Sequence, residues 1–216
     1  MIALVASLLA LHTAQPAAPA PRPLVLPPID ECGADAGFAR FRAELLDTLA
    51  RRDLARLRPM LAPDIFYSFG GDAGREGFFD NWGLDRDPAS SGLWTSLGET
   101  LMLGCARSDG DMVAPYAFVH WPEFDGVGTS FLARPGADLY PRPDFEGEPI
   151  ATLAWHVVED ASPDGAGGNS LWRRVRLGDG RTGYVRETDL RVDIDFRAIF
   201  ERRMGRWVLA TFVAGD

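Results

Sequence analysis

Residues 172–185, WRRVRLGDGRTGYV, constrain the fold most, because they predict two short strands around a tight turn. Gly178-Asp179-Gly180 supplies the positive φ angles that a hairpin turn needs. Gly183 relieves crowding where the second strand coils. Trp172 is one residue out of phase with the apolar Val175, so we expect either a bulge between them or a place for Trp172 at the rim of a barrel.

The chain on both sides of this hairpin has the same character. Residues 131–191 contain five short apolar segments separated by turn residues and prolines, without the period of a helix. Short, closely spaced strands of this kind are typical of a small closed β-barrel. We therefore expect this part of the chain to form one.

Three segments, LYPRP, PIATLAWHVV and LWRRVRLGDGRTGYVRETDLR, resemble the bacterial SH3 (SH3b) domain family. The positions that match the family pattern are Arg142, Pro143, Ile150, Leu153, Trp172, Val175, Gly180, Gly183, Tyr184, Val185 and Leu190. The first strand departs from the pattern, because prolines at 141 and 143 flank Arg142. The resemblance covers residues 131–191 and implies an SH3-like barrel there.

SH3-type barrels bind extended peptides on surfaces lined by aromatic side chains. The candidates for such a surface are Tyr140, Trp155, Trp172 and Tyr184. The resemblance implies a target in the cell envelope, either cell-wall peptide or glycan or an envelope protein. Two alternatives stay open: Trp172 and Tyr184 belong to the barrel core, or the barrel is a structural interaction module without a small ligand.

The chain before residue 131 mixes helices with strands. Apolar residues recur at three- and four-residue steps through residues 34–60, which predicts a helix followed by a second, shorter one. Pro63 ends the helical part, and residues 64–71 predict a strand. Residues 112–121 are also strand-like, with an interruption at Pro115.

A second hairpin is predicted over residues 194–213, from the alternation of apolar residues on either side of Met204-Gly205. A lone hairpin is marginally stable in water, so we expect it to pair with residues 64–69 or 112–121. The two helices before the first strand, together with this last hairpin, resemble the NTF2-like family.

The expected fold class is therefore α+β. The expected units are an NTF2-like front domain over residues 30–130, completed by the C-terminal hairpin in residues 192–216, and an SH3-like barrel inserted over residues 131–191. A second functional hypothesis follows from this division. It places small-molecule binding or an enzymatic site in a pocket of the front domain, for which the candidate lining residues are Phe66, Phe69, Arg75, Trp82 and Trp94.

The N-terminus predicts export. An apolar run at residues 2–11 is too short to span a bilayer, and it is followed by small residues, as in a secretory signal peptide cleaved after Ala14. Residues 15–29 are rich in proline and predict an extended, semi-rigid linker. The alternative is an apolar tail on a cytosolic protein. Export to the periplasm or the medium is the hypothesis that we carry forward.

The two cysteines, Cys32 and Cys105, predict a disulfide if the protein is exported. Two buried thiols, or one reactive thiol, are the alternatives. Cys105 as a nucleophile with His120 as its base is a weaker hypothesis, because Cys105 does not begin a helix, where its pKa would be lowered.

Net charge narrows the choice of partner. The formal net charge is −9 and the sequence pI about 4.8, although all 22 basic residues are arginine. Binding to a nucleic-acid backbone requires clustered cations, so we expect no nucleic-acid partner. The histidines, cysteines and carboxylates show no metal-ligand spacing, and no phosphate-binding loop or serine nucleophile motif is present. We expect no metal and no cofactor, and a binding protein rather than an enzyme.

Overall fold

The structure is a computed structural model that describes residues 23–122, 129–144, 146–162 and 171–215. The predicted signal peptide and the first part of the predicted linker lie outside these residues. The helices are α1 (Ala36–Arg51), α2 (Leu54–Leu57), α3 (Arg75–Asn81), α4 (Leu93–Met102) and α5 (Tyr116–His120). The strands are β1 (Leu61–Phe66), β2 (Ala106–Ser108), β3 (Asp111–Ala114), β4 (Ser130–Ala133), β5 (Ala137–Leu139), β6 (Ala151–Leu153), β7 (Val157–Asp160), β8 (Trp172–Arg176), β9 (Thr182–Arg186), β10 (Leu190–Val192), β11 (Arg197–Arg203) and β12 (Arg206–Val213).

Helices and strands occur together with several sheets, so the fold is mixed α and β. The first sheet has the order β1-β12-β11-β3-β2. Its centre is the C-terminal hairpin β11–β12, which pairs with β3 on one side and, in parallel, with β1 on the other. The expectation that this hairpin pairs with the front half of the chain is confirmed by these registers.

Helices α1 and α4 cover this first sheet through a large apolar core. Asp35 caps α1 by accepting a hydrogen bond from the backbone N–H of Phe38 at 2.8 Å. The Phe38 ring is fully buried and packs edge-on against Phe200 of β11 and Trp207 of β12, with ring centroids 5.2 and 5.3 Å apart. Aromatic packing of this kind fixes the helix on the sheet.

Two predicted elements of the front half have different bounds in the structure. Strand β1 begins at Leu61 and runs through Pro63, which was expected to precede the strand. Proline is tolerated there because β1 is an edge strand that pairs on one side, with β12. The segment after Pro115, expected as strand, forms the short helix α5 instead. Proline is well suited to the start of a helix, where no intrahelical N–H bond is lost.

The remaining strands form a second sheet of order β10-β4-β7-β8-β9 and a two-stranded sheet, β5-β6. They enclose a separate apolar core that includes Leu139, Leu153, Val175 and Val185. Among the described residues no sheet closes on itself, so the closed SH3-like barrel stays a prediction. The domain boundaries at residues 30, 130 and 191 also stay predictions.

The Pro-rich segment before residue 31 is docked, not a free linker, over its described part. We call residues 24–31 the strap. Leu24 and Leu26 exchange backbone hydrogen bonds of 2.9 and 2.8 Å with Val157 and Trp155 of the second sheet region. Farther along, the strap pairs with Cys105 in the front half. Within the apolar Leu-Val-Leu run, Leu26 supplies the backbone N–H donor and the buried side chain, and Leu24 supplies a carbonyl acceptor, so this stretch docks.

We expect Leu26→Ala to lower the free energy of unfolding by about 2–3 kcal/mol, as measured by urea denaturation. Leu26 is 8% exposed and packs among Ala117, Leu132 and Val157, so its truncation leaves a cavity. Leu24 in the same strap is 41% exposed, and Leu24→Ala is the matched control, with an expected change below about 0.5 kcal/mol. Equal effects of the two substitutions would show that the strap is not anchored by Leu26.

Candidate functional site

Three of the four predicted ligand residues lie together on one surface of the second sheet region. Tyr140 and Tyr184 form an antiparallel bridge in which each backbone N–H donates to the carbonyl oxygen of the other at 2.8 Å. The Tyr140 ring meets the Trp172 ring edge-on, with centroids 5.5 Å apart. We call Tyr140, Trp172 and Tyr184 the aromatic surface.

The alternation of side chains along β8 and β9 produces this surface. Val175 and Val185 are fully buried, so Trp172 and Tyr184, which lie at positions of the opposite parity, face away from the core. Pairing of the two strands is regular from Trp172 to Arg176, without the bulge considered for Trp172. Trp172 and Tyr184 are half-buried, and neither belongs to the core of this region.

Gly183 permits the close approach of Tyr140 to this hairpin. A Cβ atom on Gly183 would lie 2.7 Å from the carbonyl oxygen of Tyr140 and 2.8 Å from the side chain of Leu139. Such distances are shorter than real contacts of a Cβ atom, so a side chain here would push Tyr140 away. The crowding that the sequence predicted at this glycine is therefore between β9 and the end of β5.

Arginines border the aromatic surface. Arg174 pairs with Tyr184 across the strands, and Arg186 pairs with Trp172. Arg186 also donates hydrogen bonds to Asp189 at 3.0 and 3.3 Å. The hydrogen bond to Asp189 raises the pKa of the Arg186 guanidinium above its usual value, and the nearby Tyr140 acts in the same direction. These arginines are not among the predicted site residues, although their two-residue spacing from the aromatic residues could have identified them.

Trp155, the fourth predicted ligand residue, makes its contacts elsewhere. Its backbone carbonyl accepts the 2.8 Å hydrogen bond from Leu26, and its half-buried ring packs in the cluster that includes Leu26 and Val157. Trp155 adopts a left-handed backbone conformation, with φ of 58°. The structure thus assigns this tryptophan to the docking of the strap, and the contacts described for it do not include the aromatic surface.

Cys32 and Cys105 form a disulfide with a Cα–Cα distance of 5.7 Å, and both residues are buried. This bond removes the thiol that a Cys105 nucleophile would need. His120 lies with its Nε2 3.5 Å from a carboxylate oxygen of Glu31. Asp30 and the two sulfurs are the described groups that lie close enough to hold a metal, but sulfurs bonded to each other are not thiolate ligands.

The five residues proposed for a front-domain pocket do not act as one set. Trp82 stacks on Phe212, with centroids 5.6 Å apart, and both pack with the buried Trp94 in the front core. Phe66 and Phe69 pair with each other. Arg75 lines a groove together with Leu61 and Pro63 of β1.

No protein-family model, curated protein or solved structure matches this chain. Within the residues that the structure describes, none of the helices has the length and apolar character needed to cross a membrane. The buried disulfide is compatible with an exported protein.

Proposed function

We propose that this protein is an exported, non-enzymatic binding protein whose aromatic surface contacts cell-wall peptide or glycan. The observation that carries the proposal is the convergence of Tyr140, Trp172 and Tyr184, three half-buried rings from separate parts of the chain, on one surface. In this proposal residues 131–191 are an SH3-like barrel and the front half is an NTF2-like domain that supports it. An envelope protein is the other target that the SH3 resemblance implies.

The chemistry of the surface suits such a ligand. Aromatic faces pack against the apolar faces of sugars and against extended peptides, and tyrosine adds a hydroxyl that can hydrogen-bond. The bordering Arg174 offers planar donors that match a carboxylate of a peptide, whereas the Arg186 guanidinium is already engaged by Asp189. Rings and guanidinium groups together thus supply both apolar contact and recognition of negative charge.

The proposal is tested by co-sedimentation of the purified protein with peptidoglycan sacculi at low and moderate salt. We expect the intact protein to sediment with sacculi at both salt levels. The double variant Trp172→Ala, Tyr184→Ala is expected to bind at least about tenfold more weakly. Truncation of an aromatic residue at the centre of an interface typically costs more than about 1 kcal/mol of binding free energy. Circular dichroism establishes that the variant is folded.

Phe69→Ala is the matched control, since Phe69 is an aromatic residue of the front half that is 47% exposed. It is expected to sediment like the intact protein. Failure of the intact protein to sediment, or equal binding by the double variant, would refute cell-wall binding through this surface. If the protein bound to an envelope protein extract and not to sacculi, an envelope protein would be the target.

A further inference from the structure

A groove with a cavity volume of about 470 Å³ lies on the front half, where β1, the start of α3 and the turn between β11 and β12 meet. Its apolar walls are formed by Leu61, Pro63 and Val208, and its cations by Arg75, Arg203 and Arg206. A cavity of this size falls in the range of small-molecule sites. The groove is separate from the aromatic surface, which lies on the second sheet region.

The three arginines of the groove differ in how their charge is balanced. Arg203 is bound to two carboxylates, Asp64 and Glu201, the latter at 2.8 Å. Neither Arg75 nor Arg206 forms an ion pair with a carboxylate in the part of the chain that the structure describes. Three guanidinium groups are thus set against two carboxylates, which leaves one net positive charge in the groove and two guanidinium groups, those of Arg75 and Arg206, for hydrogen bonds to a ligand.

Arg75 is held in place but is not fully satisfied. One of its Nη atoms donates to the carbonyl oxygen of Leu61 at 2.6 Å, which fixes the side chain against β1. Its Nε atom is buried and has no hydrogen-bond partner among the described residues. Buried polar atoms are normally paired, so an orphaned one in a groove wall indicates a place where a partner is missing.

A second groove, of about 330 Å³, shares Arg206 and Pro59 with the first. It is lined by one carboxylate, Glu44, and by three arginines, Arg40, Arg202 and Arg206. The first groove is the stronger candidate because it is larger and because it contains the buried Nε atom of Arg75, which has no described hydrogen-bond partner.

We propose that the first groove binds a small organic anion, with its carboxylate or phosphate on Arg75 and Arg206 and its apolar body against Pro59, Pro63 and Val208. A guanidinium group matches both anions because its donors form a planar fork. The apolar walls favour an anion that carries a ring or chain over a bare ion. The net charge of −9 repels anions at long range, so binding depends on these local cations.

Isothermal titration calorimetry at low salt tests this site, with phenyl phosphate and benzoate as probes and inorganic phosphate as the anion without an apolar body. We expect at least one aromatic anion to bind the intact protein more tightly than inorganic phosphate does. Arg206→Gln is expected to weaken that binding about tenfold, since it removes one of the two charged groups that hold the anion. Arg206 is exposed beside a turn, so this variant should fold.

Arg107→Gln is the matched control, because Arg107 is an exposed arginine of β2 outside the groove and its loss changes the net charge equally. It should bind the probe like the intact protein, as should Trp172→Ala on the aromatic surface. The proposed site would be overturned if neither aromatic anion bound, or if the Arg206→Gln variant bound the probe with the same affinity as the intact protein.

Discussion

Replacement of both Cys32 and Cys105 by alanine is expected to lower the free energy of unfolding by about 4 kcal/mol. The disulfide closes a loop of 73 residues, which contains α1, α2, β1, α3 and α4. Without the bond, the unfolded chain gains the conformational entropy that this loop closure had removed. The bond also connects the strap, which ends beside Cys32, to Cys105 directly before β2.

Urea denaturation of the oxidised protein and of the double variant measures this change. The intact protein unfolded in the presence of a reductant is the control, and its loss of stability should equal that of the double variant. A loss below about 1 kcal/mol in both cases would show that the disulfide does not constrain the unfolded chain as the loop-closure argument requires.

Phe38→Ala is expected to lower the free energy of unfolding by about 3–5 kcal/mol. The Phe38 side chain is fully buried between α1 and the central hairpin of the first sheet, where it contacts the rings of Phe200 and Trp207. Its removal leaves a cavity and also breaks the aromatic contact that joins helix to sheet. Thermal or urea unfolding followed by circular dichroism measures the loss.

Phe69→Ala serves as the control for Phe38→Ala, because Phe69 is 47% exposed and leaves no enclosed cavity. Its expected cost is below about 1.5 kcal/mol. If the two phenylalanine substitutions destabilised the protein equally, the position of Phe38 at the centre of the front core would be contradicted.

Much of the fold follows from local sequence patterns. The alternation of apolar residues in 194–213 predicted the β11–β12 hairpin, and its need for neighbours predicted its pairing with the front half. The turn glycines near residue 180 likewise predicted the β8–β9 hairpin. Such patterns are informative because the side-chain period of a strand and the turn chemistry are fixed by neighbouring residues.

Features that depend on distant residues were not predictable in the same way. The strap has the composition of a linker, and its docking depends on hydrogen-bond acceptors and apolar surface more than 100 residues away, around Trp155. The contacts of Trp155 with the strap could not be predicted from its local sequence for the same reason. The groove arginines could not be predicted for the same reason. Tertiary packing decides which arginines lack a carboxylate partner, and the sequence does not distinguish among its 22 arginines.

Ligand binding at the aromatic surface is tested by an NMR titration that follows the indole N–H signals of the six tryptophans. Trp172 belongs to the aromatic surface, Trp155 contacts the strap, and Trp207 lies in the front core. On addition of muropeptides released from sacculi, we expect the largest shift for Trp172 and little change for Trp207. Shifts confined to tryptophans of the front half, with Trp172 unmoved, would contradict ligand binding at the aromatic surface.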